Sequence, residues 1–189
     1  VIWLLEELGL DYRIVDHARD AVTQLAPASL KAVHPLGKAP VMESNGVVLC
    51  ESGAIMEYLL AQVDTAHACY IGRENPAYYK YLEWLHFAEG SLGLPVITKL
   101  FMTMESRKGD QPMDGYIAKE LAVDFSYINN TLEAQPYFAG DVFSAADIMM
   151  TIMLEIAHNV GLLKDYPSIV RYLENMTTRD AYAIAAAKG

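Results

Sequence analysis

Asn45-Gly46 stands between two short apolar runs, Pro40-Val-Met-Glu43 and Val47-Val-Leu-Cys50. Asn-Gly in that setting commits both runs to an antiparallel hairpin, because a two-residue turn that matches the strand twist needs positive φ at both central positions. Helices are expected on either side. Residues 26–33 are helix-compatible and are stopped by His34-Pro35-Leu-Gly37, since the residue before a proline is pushed out of the helical region. Glu51-Ser52-Gly53 opens another helix, in which Ile55, Met56, Leu59 and Leu60 keep helical spacing. Upstream, residues 1–9 read as the second half of an amphipathic helix that ends on a glycine, and Tyr12-Arg-Ile-Val15 reads as a short strand. Residues 1–62 are therefore mixed α/β.

Periodicity then disappears. Asp64, Thr65, Gly72, Asn75 and Pro76 are turn formers, and 63–75 is read as a linker. Beyond it, over 76–189, the pattern is helical only. Tyr78, Leu82, Leu85 and Leu92 form one stripe and Tyr81, Trp84 and Ala88 a second, so this helix is apolar on two sides and is central or at a subunit contact. Pro95 should kink or break it. A helix from about Met113 carries Ile117, Leu121, Phe125, Ile128 and Leu132 on one face. Ser144-Ala-Ala-Asp147 is a capping-box-like start with Phe143 and Ile148 as its hydrophobic staple. A last helix follows Pro167 with Ile169, Val170, Leu173 and Met176. The fold class is thus α/β followed by an all-α bundle.

Composition removes whole classes of function. In 189 residues, 14 Lys+Arg against 24 Asp+Glu give a net charge of −10, the wrong sign for a protein that binds nucleic acid by neutralising phosphates. An apolar fraction of 53% with 20% charged residues excludes a disordered chain. No apolar run approaches the ~18 residues of a membrane span, which leaves no membrane partner. Two cysteines, Cys50 and Cys69, make neither a disulfide framework nor a thiolate zinc site, and a reducing cytoplasmic setting with no metal is expected.

Several local words, taken in order, resemble the glutathione S-transferases: His34-Pro-Leu-Gly-Lys-Ala-Pro40-Val-Met, Glu51-Ser-Gly-Ala-Ile-Met-Glu-Tyr58 and, far downstream, Ser144-Ala-Ala-Asp147. The opening Trp-Leu-Leu-Glu-Glu-Leu-Gly-Leu and Leu85-His-Phe-Ala-Glu-Gly-Ser91 are similar to bacterial and fungal members. The resemblance implies a thioredoxin-like N-terminal domain, truncated at its start by about 15 to 20 residues of strand, loop and helix, and a helical-bundle C-terminal domain. It also implies a homodimer that binds glutathione and a small hydrophobic electrophile.

Read from the residues alone, Ser52 is a helix N-cap, worth ~1 kcal/mol, or part of a helix N-terminus that receives a ligand carboxylate. The resemblance implies the second: Ser52 and the helix amides would hold the γ-glutamyl carboxylate of glutathione, and Glu51 its ammonium. Pro40 is either a trans proline that starts a strand or, by resemblance, follows a cis bond and turns the Ala39 backbone outward to pair with the cysteinyl part like an added strand. Lys38 is an ordinary loop lysine or attracts the glycyl carboxylate. His34 caps the preceding helix or approaches the glycyl end, and the cap is preferred.

A free thiol of pKa ~8.5 is only a few per cent ionised at neutral pH, so the reaction needs a donor or dipole that stabilises the thiolate. Relatives place a Ser, Tyr or Cys for this near the start of the chain, and no catalytic residue is assigned in this sequence. Tyr12 is expected to lead a strand, and Cys50 to be a buried, inert thiol. The electrophile is expected along the aromatic helix near Leu92 and Pro95, with Met102 and Met104 as core or pocket. Ser144 and Asp147 are expected to serve folding only. The implied activity is conjugation of the glutathione thiol to small hydrophobic electrophiles. A non-catalytic module of the same fold and a glutathione-dependent reductase or peroxidase are the alternatives.

Overall fold

A computed structural model describes residues 1–23, 25–63 and 69–188 of the chain. The Asn-Gly turn does what its chemistry requires: Asn45 and Gly46 have φ of 49° and 79°, and they join β1 (Val41–Ser44) to β2 (Val47–Cys50). Val41 faces Cys50 and Ser44 faces Val47. Helix α1 (Ile2–Glu7) precedes the hairpin, as does α2 (Ala28–Val33), and α3 (Ser52–Gln62) follows it. Helix α2 starts two residues later than expected. Ala26 precedes Pro27, which disfavours its helical conformation, and Pro27 itself has ψ of 160°.

Residues 12–15 do not form a strand. A ladder needs a neighbour, and among the described residues the sheet contains β1 and β2 only. Tyr12 turns its hydroxyl to Glu6 and Lys188 instead, and Ile14 and Val15 are exposed. In the expected linker, Asp64 and Thr65 lie outside the described residues. Over 69–76 the chain is irregular, as its turn formers suggest.

The helical part runs through α4 (Tyr78–Phe87), a π-helical segment (Ala88–Gly93), α5 (Leu94–Thr103), α6 (Pro112–Ala134), α7 (Ala145–Asn159), α8 (Pro167–Thr177) and α9 (Asp180–Ala186). The break expected at Pro95 takes the form of that π segment. Pro95 has no N–H for the carbonyl four residues before it, and the wider turn absorbs the mismatch. Gly93 is needed there, because a Cβ would lie 3.1 Å from the Ala88 carbonyl oxygen.

Helix α7 is the hub. It is apolar on nearly every side, with Ile148, Met150, Leu154 and Ala157 buried, and α1, α3, α4, α5 and α8 all pack against it. The stripe of Tyr81, Trp84 and Ala88 is buried, and in the other stripe Leu85 and Leu92 are buried while Tyr78 and Leu82 are half-buried against the core; the five α6 residues named above are buried too. The two-sided α4 helix is therefore central.

Candidate functional site

The hairpin register builds one end of the candidate site. Because Val41 is opposite Cys50, the residues just before β1 and just after β2 emerge together. The Ala39–Pro40 bond is cis, and Lys38, Ala39 and Pro40 are exposed. On the other strand, Glu51 has φ of 76° and ψ of 116°, a left-handed conformation that a non-glycine residue adopts only when its surroundings impose it. Its carbonyl accepts the Ile55 N–H at 3.0 Å, so the helix begins from Glu51 and Ser52 is the first helical residue rather than the N-cap. Among the described residues no side chain caps this end of α3. Glu51 is exposed, and the Cys50 thiol donates to its carboxylate at 3.9 Å.

The loop before the cis bond is fixed locally. His34 is the C-cap of α2 by backbone position, with its N–H on the Leu30 carbonyl at 3.1 Å. Its ring does not reach the helix carbonyls. Nδ1 accepts the Leu36 N–H at 3.4 Å, because an extended ψ of 133° at His34 turns the chain forward. Gly37 follows with φ of 57°, and a Cβ there would meet the Lys31 Cγ at 2.8 Å. Only glycine lets the loop lie this close to α2 before it reaches Lys38.

The tyrosine and the two cysteines lie in three different surroundings. Tyr12 is bound up with Glu6 and Lys188. Cys50 is half-buried rather than buried, because it ends a strand at the open end of a two-stranded sheet. Cys69 is the buried cysteine, and burial pushes its thiol up to about 12, which leaves it protonated.

Leu92, Pro95 and Val96 are core residues packed inside the bundle, while their neighbours Ser91 and Leu94 are exposed. Met102 is buried with them. Leu94, Phe101 and Met104 are the exposed apolar side chains of this stretch. Their spacing of seven and then three places them along one helical stripe, a pattern present in the sequence. A cavity of about 430 Å³ between α4 and α6 is lined by Trp84, Tyr127 and Phe138, and it includes no residue of the hairpin end.

The second helix start that carries a serine and an acid is closed. The Asp147 carboxylate accepts the Ser144 N–H and hydroxyl, both at 2.9 Å, the Phe138 N–H at 3.0 Å and the Tyr172 hydroxyl at 3.1 Å. Ser144 and Asp147 are fully buried. Burial pushes the Asp147 carboxyl up to about 6, against the pull of those four hydrogen bonds.

The comparisons agree with this architecture. The family model described as glutathione S-transferase, N-terminal domain, matches residues 1–61, and that for the C-terminal domain matches residues 64–180. Glutathione S-transferase 3 of Schizosaccharomyces pombe is 33% identical over 203 residues, which cover 100% of this chain and 82% of that protein. A solved glutathione S-transferase from Actinobacillus pleuropneumoniae is 33% identical, with a TM-score of 0.86 over 99% of this chain and 85% of its own. A glutathione transferase from Phanerochaete chrysosporium, in complex with oxidized glutathione, has a TM-score of 0.84 at 20% identity, over 100% of this chain and 89% of its own. At that identity it shows the shared fold alone.

Proposed function

The chain belongs to the glutathione S-transferase superfamily, with a thioredoxin-like domain followed by a helical one, and we propose that it conjugates the glutathione thiol to small hydrophobic electrophiles. In this reading residues 1–62 bind glutathione, 63–75 link, and 76–189 carry the electrophile and the dimer contact. The observation that carries it is the convergence of cis Ala39–Pro40 and Glu51–Ser52 at one end of the hairpin, beside the uncapped start of an eleven-residue helix.

The chemistry follows from the groups at that end. The first-turn amides of α3 carry the positive end of the helix dipole and can donate to the γ-glutamyl carboxylate together with the Ser52 hydroxyl. Glu51, exposed and beside them, can take the ammonium. The Ala39 N–H and C=O can pair with the cysteinyl backbone as one more strand would. In this reading Lys38 and His34 would meet the glycyl carboxylate. Bound in this way, the tripeptide has its backbone fixed and its sulfur free. As a thiolate, that sulfur attacks an electrophilic carbon, a C–S bond forms, and the leaving group departs with its electron pair while the thiol proton passes to solvent. These residues bind and orient. Tyr12, Cys50 and Cys69 are not assigned to thiolate stabilisation.

Both cysteines are free, in keeping with a reducing cytoplasm. Among the described residues no helix is long and apolar enough to cross a membrane. Calorimetry with glutathione, paired with the absorbance of conjugates of an activated aryl chloride, tests the reading. The full chain should bind the tripeptide and form the conjugate. Glu51→Ala with Ser52→Ala should weaken binding by about a hundredfold, as expected when two charge-assisted contacts are lost. No heat at millimolar glutathione would overturn the site. Binding without conjugation would favour a non-catalytic module, and a mixed disulfide formed with added oxidised glutathione, whose other half leaves as the free thiol, would favour a reductase.

A further inference from the structure

Helix α1 belongs by sequence to the N-terminal family domain, which covers residues 1–61, yet its packing partners are α7 and α9. The polar contacts make the same connection. The Arg179 guanidinium forks the Glu7 carboxylate, Nε to Oε1 at 2.7 Å and a terminal nitrogen to Oε2 at 2.8 Å. The Trp3 indole N–H donates to the same Oε1 at 2.9 Å. Arg179 also lies over the Phe143 ring, 3.7 Å from its centroid, so the cation is held by a carboxylate and by an aromatic face.

The segment continues across α1. Tyr182 meets the Trp3 ring edge-on at 5.1 Å and gives its hydroxyl to Glu155 of α7. Lys188 donates to Glu6 at 2.6 Å and to Tyr12 at 2.8 Å. We infer that residues 179–188 act as a clasp that holds α1 against α7, so that the N-terminal domain depends for the order of its first helix on residues more than 170 positions away.

The two ion pairs differ in weight. The Arg179 and Glu7 side chains are 28% and 10% exposed, those of Lys188 and Glu6 42% and 17%. Screening is weaker at the first pair, and its bidentate geometry costs less entropy per bond. Arg179 is therefore the main fastening, and Lys188 an accessory one. Cys69 reports on the first, since it is buried in the field of Glu7 and Arg179, and its carbonyl takes the Ala145 N–H at the start of α7.

Native-state hydrogen exchange with mass analysis reads the clasp directly. In Arg179→Gln, the α1 amides should lose protection at least tenfold, with those of α6 unchanged, and Cys69 should react with a thiol reagent at least tenfold faster. Lys188→Ala should change both by less than threefold. Arg179→Lys keeps the charge without the fork and should fall between them, and it carries the test if the glutamine variant gives no folded protein. Unchanged α1 protection in the Arg179 variants would overturn the clasp. So would an equal loss in α1 and α6, which would mean general destabilisation.

Discussion

Helices α3 and α7 both begin with a serine and an acidic residue, and the two starts are put to opposite uses. At α7, Ser144 is extended, with φ of −145° and ψ of 173°, and the capping box closes so completely that its serine and aspartate are lost from the surface. At α3, Glu51 is left-handed, no side chain folds back over the amides, and the acid stays in solvent. Residue types alone do not decide whether a helix start is sealed. The backbone entering it does, because only the extended entry brings a short polar side chain within reach of the first-turn amides.

The contrast can be broken most forcefully at the closed end. Asp147→Ala strands two backbone donors and the Ser144 hydroxyl in a dry site, while Tyr172 keeps the Thr151 hydroxyl and the residue-147 carbonyl, and we expect a loss of about 4 kcal/mol, read as a lower denaturant midpoint. The glutathione affinity of the remaining folded protein should be unchanged. A loss below about 1 kcal/mol would mean that water reaches this helix start.

Acidity tests the same end with a slightly smaller effect. The native state holds the Asp147 proton more tightly than the unfolded chain does, because its carboxyl is raised to about 6. Its contribution to stability should therefore be fully present below the unfolded value of 3.8, fall as pH rises towards 6, and stay level above that. The span is on the order of 3 kcal/mol. Comparing the pH dependence of stability in Asp147→Asn and the parent chain isolates it, and parallel profiles would contradict the raised value.

The open end should give the smallest change, with the opposite sign. Glu51→Gly removes the cost of a side chain at φ of 76° and should raise stability by about 1 kcal/mol while weakening glutathione binding. A variant that is both less stable and unchanged in binding would remove the distinction between the two ends.

Much of the α/β half is legible from short-range chemistry. Asn45-Gly46 specifies its turn, Pro35 ends α2, and the Ile55 to Leu60 spacing marks the buried face of α3, because each depends on bonds or clashes within a few residues. The Ser144 to Asp147 box is legible for the same reason. The extended segment at 12–15 is not, since β-branched residues give a tendency and a strand needs a partner. Helix α9 lies beyond the helix expected last, and Asp180 followed by an alanine-rich run is its local signal. The exposure of Leu94, Phe101 and Met104 is not legible in the same way, because apolar residues at helical spacing mark a face without saying whether anything covers it.

The sequence by itself determined the local frame: a hairpin with a fixed turn, a serine at the start of one helix and a sealed box at the start of another, and a change from mixed to helical pattern near residue 63. Tertiary structure decided which of those pieces face one another. It brought Ala39–Pro40 and Glu51–Ser52 to the same end, turned Glu51 left-handed, and fastened α1 to Arg179 across the chain. Local signals act through covalent geometry and neighbouring hydrogen bonds, which a sequence records. Long-range contacts are selected by packing, which depends on all elements at once.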